Sequence, residues 1–167
     1  VIENVLNGRE GVSIANYNCP GQIVITGEAA AVAEAGTALK EAGARRVLPL
    51  KVSGPFHSPM MRPAGEELAK VFAGVSMNPL KVPYVANINA EVITDCGRIE
   101  GLLVDQVSGS VHWQQSVETM LRESVDTFVE IGPGKTLTGF LRKIDKNVKA
   151  YHIGSWEEAV QVCEELK

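Results

Sequence analysis

Cysteine is scarce in this sequence, and the few cysteines present form no framework. Cys19, Cys96 and Cys163 are odd in number and none belongs to a C-x-x-C pair, so neither a disulfide scaffold nor a zinc site is predicted. No apolar run approaches the roughly 20 residues that span a bilayer, and residues 1–10 lack the charged start and apolar centre of a signal peptide. We therefore expect a cytoplasmic protein that binds neither a membrane nor a metal.

Runs of positive charge are also missing. Sixteen Lys and Arg residues against twenty Asp and Glu residues give a net charge of −4, and no stretch is rich in basic residues. Because nucleic-acid binding depends on clustered Lys and Arg, nucleic acid is not an expected partner. The sequence does have 45% hydrophobic residues over 167 positions, which is enough to fill the core of a globular protein.

The first third of the chain predicts a small α+β lobe. Apolar or inward-capable side chains recur at every second position over residues 12–18, and a β-branched run over residues 22–26 follows a Cys-Pro-Gly turn, so the two form a predicted hairpin. One apolar face predicts a helix over residues 29–42 that ends at Gly43. Alternation resumes over residues 46–53, which predicts another strand.

The rest of the chain alternates longer helices with single strands, which favours a mainly parallel sheet. Ser58 and Pro59 form a predicted helix start. Ser155 and Glu158 form a predicted capping box. The predicted strands cover residues 82–88, 127–131 and 149–153, and the predicted helices begin near residues 59, 114, 137 and 156.

A histidine directly before a helix start is the most informative single feature. In Gly54-Pro55-Phe56-His57-Ser58-Pro59, a predicted strand ends in a turn and His57 follows. Loops between strand ends and helix starts hold the reactive groups of many α/β enzymes. An ordinary imidazole titrates near pH ~6.5 and can exchange a proton at neutral pH. The alternative is a surface or capping histidine without a catalytic role.

Two asparagines mark a second candidate position. Asn16 and Asn18 lie two apart in a predicted strand, which places both on the face of Val12 and Ile14. Two amides on one face of a strand need partners, so they are candidates for binding substrate or orienting the site. The alternative is that they begin the Pro-Gly turn.

Three other patterns carry less chemistry. A glycine-rich turn is similar to part of a phosphate loop, but its glycine spacing is wrong; it comprises Glu130-Ile131-Gly132-Pro133-Gly134-Lys135-Thr136. The turn instead predicts the start of a helix, whose free N–H groups could face an anion. His112 and His152 have no acidic or cysteine neighbours at ligand spacing. No G-x-S-x-G nucleophile elbow occurs in the chain.

Taken together, four landmarks in order resemble the malonyl-CoA:acyl carrier protein transacylase family over nearly the whole chain. The resemblance implies an α/β fold in which residues 1–53 are a ferredoxin-like small subdomain without its first strand. Residues 54–167 are then the C-terminal portion of an α/β-hydrolase-like large subdomain. The landmarks are Ala15-Asn16-Tyr17-Asn18-Cys19-Pro20-Gly21-Gln22, Gly54-Pro55-Phe56-His57-Ser58-Pro59-Met60, Val111-His112-Trp113 and Glu130-Ile131-Gly132-Pro133-Gly134-Lys135.

The resemblance also implies a reaction. Members transfer malonyl from malonyl-CoA to the phosphopantetheine thiol of acyl carrier protein in fatty acid biosynthesis, by a ping-pong mechanism through a serine. That serine belongs to the N-terminal half of the enzyme, so this chain alone is expected to be inactive. His57 is then the general base and acid, and the backbone carbonyl of His112 holds its imidazole.

The remaining implications concern substrate and partners. Phe56 resembles a phenylalanine that favours malonyl over methylmalonyl, and Asn16 and Asn18 match asparagines near the family's active site. The expected partners are malonyl-CoA, acyl carrier protein and the N-terminal half, in an enzyme that is a monomer when intact and uses no cofactor of its own. The alternative function is a non-catalytic module that binds acyl carrier protein or a small ligand.

Overall fold

The computed structural model describes all 167 residues, and its helix and strand content confirms the predicted α/β class. The first lobe is a hairpin covered on one side by two helices. Its core is a cluster of Leu6, Ile14 and Ala35, which is extended by half-buried side chains of the hairpin. The elements of this lobe are α1 (Ile2–Leu6), β1 (Val12–Cys19), β2 (Gln22–Gly27) and α2 (Ala29–Glu41).

An irregularity in β1 changes which side chains face that core. Ile14 pairs with Ile25 but Asn16 pairs with Val24, so Ala15 is an extra residue in the strand. Tyr17 therefore packs on the core with Ile14, and Asn16 next to it points to the opposite face. The prediction that Asn16 shares the face of Ile14 is wrong, because the bulge breaks the period of two.

Asn18 lies at a second register shift, between the pairs that Tyr17 and Cys19 make with β2. Strand alternation is interrupted at this position as well. The regular period of two on which the prediction for Asn18 rested is therefore absent at this position.

The predicted strand over residues 46–53 does not form. The segment has no ladder partner, and its only internal main-chain hydrogen bond runs from Val52 N to Leu50 O. Its alternate apolar side chains are largely exposed: Leu48 by 71%, Leu50 by 61% and Val52 by 63%. A strand needs a neighbour to satisfy its main-chain groups, and none of the described residues supplies one.

The rest of the chain contains five helices and two short sheets. Tyr84–Val85 and Val92–Ile93 form an antiparallel pair, β3 and β4. β3 lies within the predicted strand over residues 82–88, and the sequence did not predict β4. Thr127–Ile131 and Lys149–Ile153, β5 and β6, form a parallel pair in the predicted positions. The helices are α3 (Arg62–Phe72), α4 (Ile99–Ser108), α5 (Trp113–Arg122), α6 (Thr136–Ile144) and α7 (Trp156–Glu165).

Helix starts follow the sequence in part. Ser155 Oγ accepts a hydrogen bond from the N–H of Glu158, as a capping box requires. Ser58 makes no such bond, and a short 3-10 turn over Pro59–Met61 precedes α3. None of the helices is both long and apolar enough to cross a membrane.

Candidate active site

The loop between residues 54 and 58 holds His57 in an unusual conformation. His57 has φ +58°, the left-handed region that residues with a Cβ rarely occupy. Such conformations persist only where neighbouring bonds fix them, and they are concentrated at functional sites. The backbone at His57 is therefore set by its surroundings and not by local preference.

The imidazole is fixed by a main-chain carbonyl at the end of α4. His57 Nδ1 lies 3.1 Å from the carbonyl oxygen of Gln106. This carbonyl belongs to the last turn of α4, where main-chain oxygens have no partner within the helix. Because a carbonyl only accepts, the shared proton is assigned to Nδ1, and Nε2 keeps its lone pair without a hydrogen-bond partner in the chain. A neutral imidazole in this tautomer can accept a proton at Nε2.

The predicted role of the His112 carbonyl is wrong. His57 Nδ1 bonds to Gln106 O instead, and the His112 oxygen accepts the N–H of Ser116 in the first turn of α5. The side chain of His112 instead stacks on Tyr17, with ring centroids 5.1 Å apart and planes inclined by 12°. His112 thus joins the two lobes, while Gln106 provides the carbonyl that holds His57.

The same junction fixes the backbone beside Asn16. The N–H of Val111 donates to Ala15 O at 2.7 Å, and the N–H of Tyr17 donates to Val111 O at 2.8 Å. Ser110 Oγ also donates to Ile14 O at 2.6 Å. The structure therefore brings the Asn16 region together with the segment next to His112, and α4 ends just before that segment.

Other predicted site residues are not joined to His57. No hydrogen bond connects His57 with Asn16 or Asn18; its ring is bonded only to Gln106. Phe56 directly precedes His57 and its side chain is 48% exposed. The chain therefore presents a fixed imidazole beside an exposed aromatic ring, with the asparagines on the neighbouring lobe.

The turn that is similar to a phosphate loop is occupied by a carboxylate of this chain. Glu130 accepts hydrogen bonds from Leu137 N at 3.0 Å, from Thr138 N at 2.7 Å and from Thr138 Oγ1 at 2.6 Å. Partial burial opposes ionisation of this carboxyl, but the bonds from Thr138 and Leu137 outweigh it and lower the pKa of Glu130. The anion that the N–H groups at the start of α6 face is therefore a carboxylate of this chain.

His152 is held away from this candidate site. Its Nε2 lies 2.9 Å from Gly132 O, and its Nδ1 lies 3.6 Å from a carboxylate oxygen of Glu158. The N–H of Gly154 donates to the same carboxylate, and this bond is the main reason that the pKa of Glu158 is lowered. No group of three or more His, Cys, Asp or Glu side chains is arranged to hold a metal ion.

Sequence reasoning missed Gln106 because it did not predict α4. A signal was present, since Ile99, Leu102, Leu103 and Val107 follow helical spacing and Gly109 comes directly after the helix. A Cβ at Gly109 would lie 2.1 Å from Ile88 Cδ1 and 3.1 Å from Asp105 O, so a larger residue here would require the Ile88 side chain to move.

A histidine that a main-chain carbonyl fixes in one tautomer can act as a base, and the comparison with known families identifies the class of protein. The family model for the acyl transferase domain matches residues 1–162. The chain belongs to the acyl transferase domain family.

Similar proteins within this family are malonyl transacylases. A malonyl CoA-acyl carrier protein transacylase of Bacillus subtilis is 40% identical over 156 residues, which are 93% of this chain and 49% of that protein. A crystal structure of MCAT from Streptococcus pneumoniae is 41% identical with a TM-score of 0.93, over 99% of this chain and 55% of that one. A second similar structure is a type II PKS acyl-carrier protein in complex with its malonyl-transacylase, at 36% identity and a TM-score of 0.91, over 98% of this chain and 53% of that one. The chain spans about half the length of these relatives.

Proposed function

We propose that this chain supplies the histidine of a malonyl-CoA:acyl carrier protein transacylase whose nucleophile lies on a further segment. The observation that carries the proposal is the bond between His57 Nδ1 and Gln106 O. It leaves Nε2 as the only ring position able to take a proton. This is the state that a general base needs before the reaction begins.

The proposed reaction has two half-reactions. His57 Nε2 removes the proton of a serine hydroxyl, the serine oxygen attacks the malonyl thioester, and the imidazolium returns the proton to the departing coenzyme A thiolate. In the second half, Nε2 takes the proton of the phosphopantetheine thiol, whose sulfur attacks the malonyl ester, and gives it back to the serine oxygen. While the ring is charged, the Gln106 carbonyl accepts the Nδ1–H and stabilises the imidazolium.

The exposed surface supports a missing segment. The chain has 11095 Å² of accessible surface, whereas a folded monomer of its 17.9 kDa mass has about 8,000 Å². The excess of about 3,000 Å² is somewhat larger than the roughly 1,000–2,500 Å² that each partner of a permanent complex buries. We therefore expect the serine-bearing segment to cover a large part of this surface.

Two parts of the chain are candidates for contact with the serine-bearing segment. The segment over residues 46–53 exposes alternate apolar side chains and has no strand beside it. β5 is paired on one edge only, and Ile131 on it is 78% exposed. Parallel sheets are normally covered on both faces and extended beyond two strands. An added strand would give residues 46–53 a partner, and another would extend the β5–β6 sheet.

Substrate selection is proposed for residues around the imidazole. The exposed ring of Phe56 next to His57 is placed to crowd a branched acyl group, a contact that discriminates by about 1–3 kcal/mol. Asn16 and Asn18 are proposed to contact substrate from the small lobe. The enzyme needs no cofactor of its own, because phosphopantetheine arrives on acyl carrier protein.

Complementation tests the proposal. The chain is mixed with the portion of the Bacillus subtilis relative that it does not match, and radiolabelled malonyl-CoA is added. We expect covalent label on the mixture and none on this chain alone, and His57→Ala should reduce the labelling rate at least about a hundredfold. His152→Gln is the matched histidine control and should label normally. A mixture that associates but labels equally with His57→Ala would contradict the proposal.

The alternative function, a non-catalytic binding module, is favoured by one observation, that no hydroxyl or thiol of this chain is bonded to His57. Calorimetry of the chain alone with acyl carrier protein separates the two functions. A dedicated module should bind measurably by itself, whereas half of an enzyme should bind only weakly without its other segment.

A further inference from the structure

A buried hydroxyl lies directly beside the candidate base. Ser58 is 1% exposed, and its Oγ donates a 2.6 Å hydrogen bond to the carbonyl oxygen of Pro55. The bond closes the turn that contains Phe56 and His57. In most tight turns the main-chain N–H of the fourth residue makes this bond; here the hydroxyl makes it, and the N–H of Ser58 donates to no main-chain oxygen.

This turn must hold a conformation that His57 does not prefer. At φ +58° the Cβ of His57 is crowded, so the backbone would relax if the turn opened. Two bonds of the chain oppose that relaxation: the one from Ser58 to Pro55 and the one between the His57 ring and Gln106. The first acts on the backbone and the second on the side chain, so each supports the other.

We propose that Ser58 is a positioning residue for His57. Its hydroxyl keeps the turn closed, the closed turn keeps Nδ1 on the Gln106 carbonyl, and the Nε2 lone pair stays available. The effect of Ser58 on catalysis rests on the proposed function, whereas its effect on the position of the His57 ring does not. The geometry itself can be measured in this chain without a substrate.

The chain offers a matched control. Ser116 is 2% exposed, but its hydroxyl has no hydrogen-bond partner. Removing either hydroxyl therefore deletes one buried oxygen, and only Ser58→Ala deletes a bond of the histidine turn. An effect of Ser58→Ala that Ser116→Ala lacks is specific to that bond.

The experiment is long-range 1H–15N NMR of the full chain with labelled histidine, in which His57→Gln assigns the His57 signals. In the unmodified chain His57 should show one tautomer, protonated at Nδ1. In Ser58→Ala the ratio of this tautomer to the Nε2-protonated form should fall roughly fivefold, the factor that one ordinary hydrogen bond contributes to an equilibrium. Ser58→Cys, which keeps the volume with a weaker donor, should give a smaller fall, and Ser116→Ala should give none.

Unchanged His57 signals in folded Ser58→Ala or Ser58→Cys would overturn the proposal, as would an equal change in Ser116→Ala. In the complemented enzyme, Ser58→Ala should lower kcat about tenfold and leave KM unchanged, because misplacement affects the proton transfer and not substrate binding. If the ring signals respond but the unmodified mixture transfers no malonyl group, the proposed function fails and the positioning role of Ser58 stands.

Discussion

The ring of Tyr17 lies flat on the imidazole of His112, with centroids 5.1 Å apart. Tyr17 belongs to the hairpin of the first lobe and His112 to the start of α5, so the stack joins the two parts of the chain. The phenol of Tyr17 also donates to a carboxylate oxygen of Glu3. Burial, together with this acidic partner, raises the pKa of Tyr17. One side chain thus ties α1, β1 and α5 together.

The stack should be measurable as a coupling free energy. Single and double variants Tyr17→Leu and His112→Ala form a double-mutant cycle in denaturant unfolding. We expect a coupling of about 0.5–1.5 kcal/mol, the range for stacked aromatic pairs. Tyr17→Phe keeps the stack, loses the bond to Glu3, and should retain the coupling with His112→Ala. If the changes in unfolding free energy of the two single variants simply add, the stack contributes no coupling free energy.

The left-handed backbone of His57 should make glycine favourable there. In a left-handed position an L-residue costs roughly 1–2 kcal/mol more than glycine, so His57→Gly should be more stable than His57→Ala by about 1 kcal/mol. The reverse order is expected at Glu34, which is exposed within the helix α2. There the alanine variant should be more stable than the glycine variant by about 1 kcal/mol. Urea denaturation of the four variants measures both differences, and the same order at both sites would contradict the assigned conformation.

The carboxylate at the start of α6 should give a stability contribution that depends on pH. Against the opposing effect of partial burial, the hydrogen bonds from Thr138 and Leu137 lower the folded-state pKa of Glu130 from the ordinary value of 4.5. Its contribution is therefore complete above about pH 4.5 and is lost as the pH falls through the folded pKa. Glu130→Gln should cost about 1 kcal/mol at pH 7, as the loss of a helix cap does. That difference should shrink below pH 4.5 in thermal unfolding measured at several pH values. If the stability difference between Glu130→Gln and the unmodified chain stays constant with pH, the negative charge of Glu130 does not stabilise the fold.

The exposed end of β5 should matter for association and not for folding. Ile131 is 78% exposed, so Ile131→Asp should change the stability of the chain by less than about 0.5 kcal/mol. If a complementary segment buries this side chain, its affinity should fall roughly tenfold to a hundredfold. Val71→Asp, at a position 64% exposed on α3, is the control. Calorimetric titration with the complementary segment measures both, and equal affinities for the two variants would exclude this edge from the interface.

Local signals were sufficient to predict the elements whose main-chain groups find partners. Helix α2, which ends shortly before Gly43, the start of α7 at Ser155, and the paired strands β5 and β6 lie where caps, turns and periodicity place them. The segment over residues 46–53 has an equally clear alternation, yet a strand also needs a neighbour. Alternating apolar residues show that a segment could fit a sheet, but they do not show whether another strand lies beside it.

The sequence predicted His57 as a candidate, but it did not predict the main-chain oxygen that fixes the ring. Gly-Pro-Phe-His drew attention to His57, but the atom that holds the ring is a main-chain oxygen, which has no residue signature. Its position depends on where α4 ends, so it becomes visible only when that helix is recognised. The same limit explains Ser58, whose sequence position suggests a helix cap while its hydroxyl closes the preceding turn.

Ala15 carries little chemistry, but the junction between the lobes depends on it. Because the strand has one residue more than its partner at this point, deleting that residue would leave a regular ladder in which its neighbours keep their partners. The carbonyl oxygen that accepts the N–H of Val111 would disappear with it, and the junction would lose one of its main-chain bonds. A change in the length of this strand would therefore act on the junction while leaving the apolar interior of the hairpin in place.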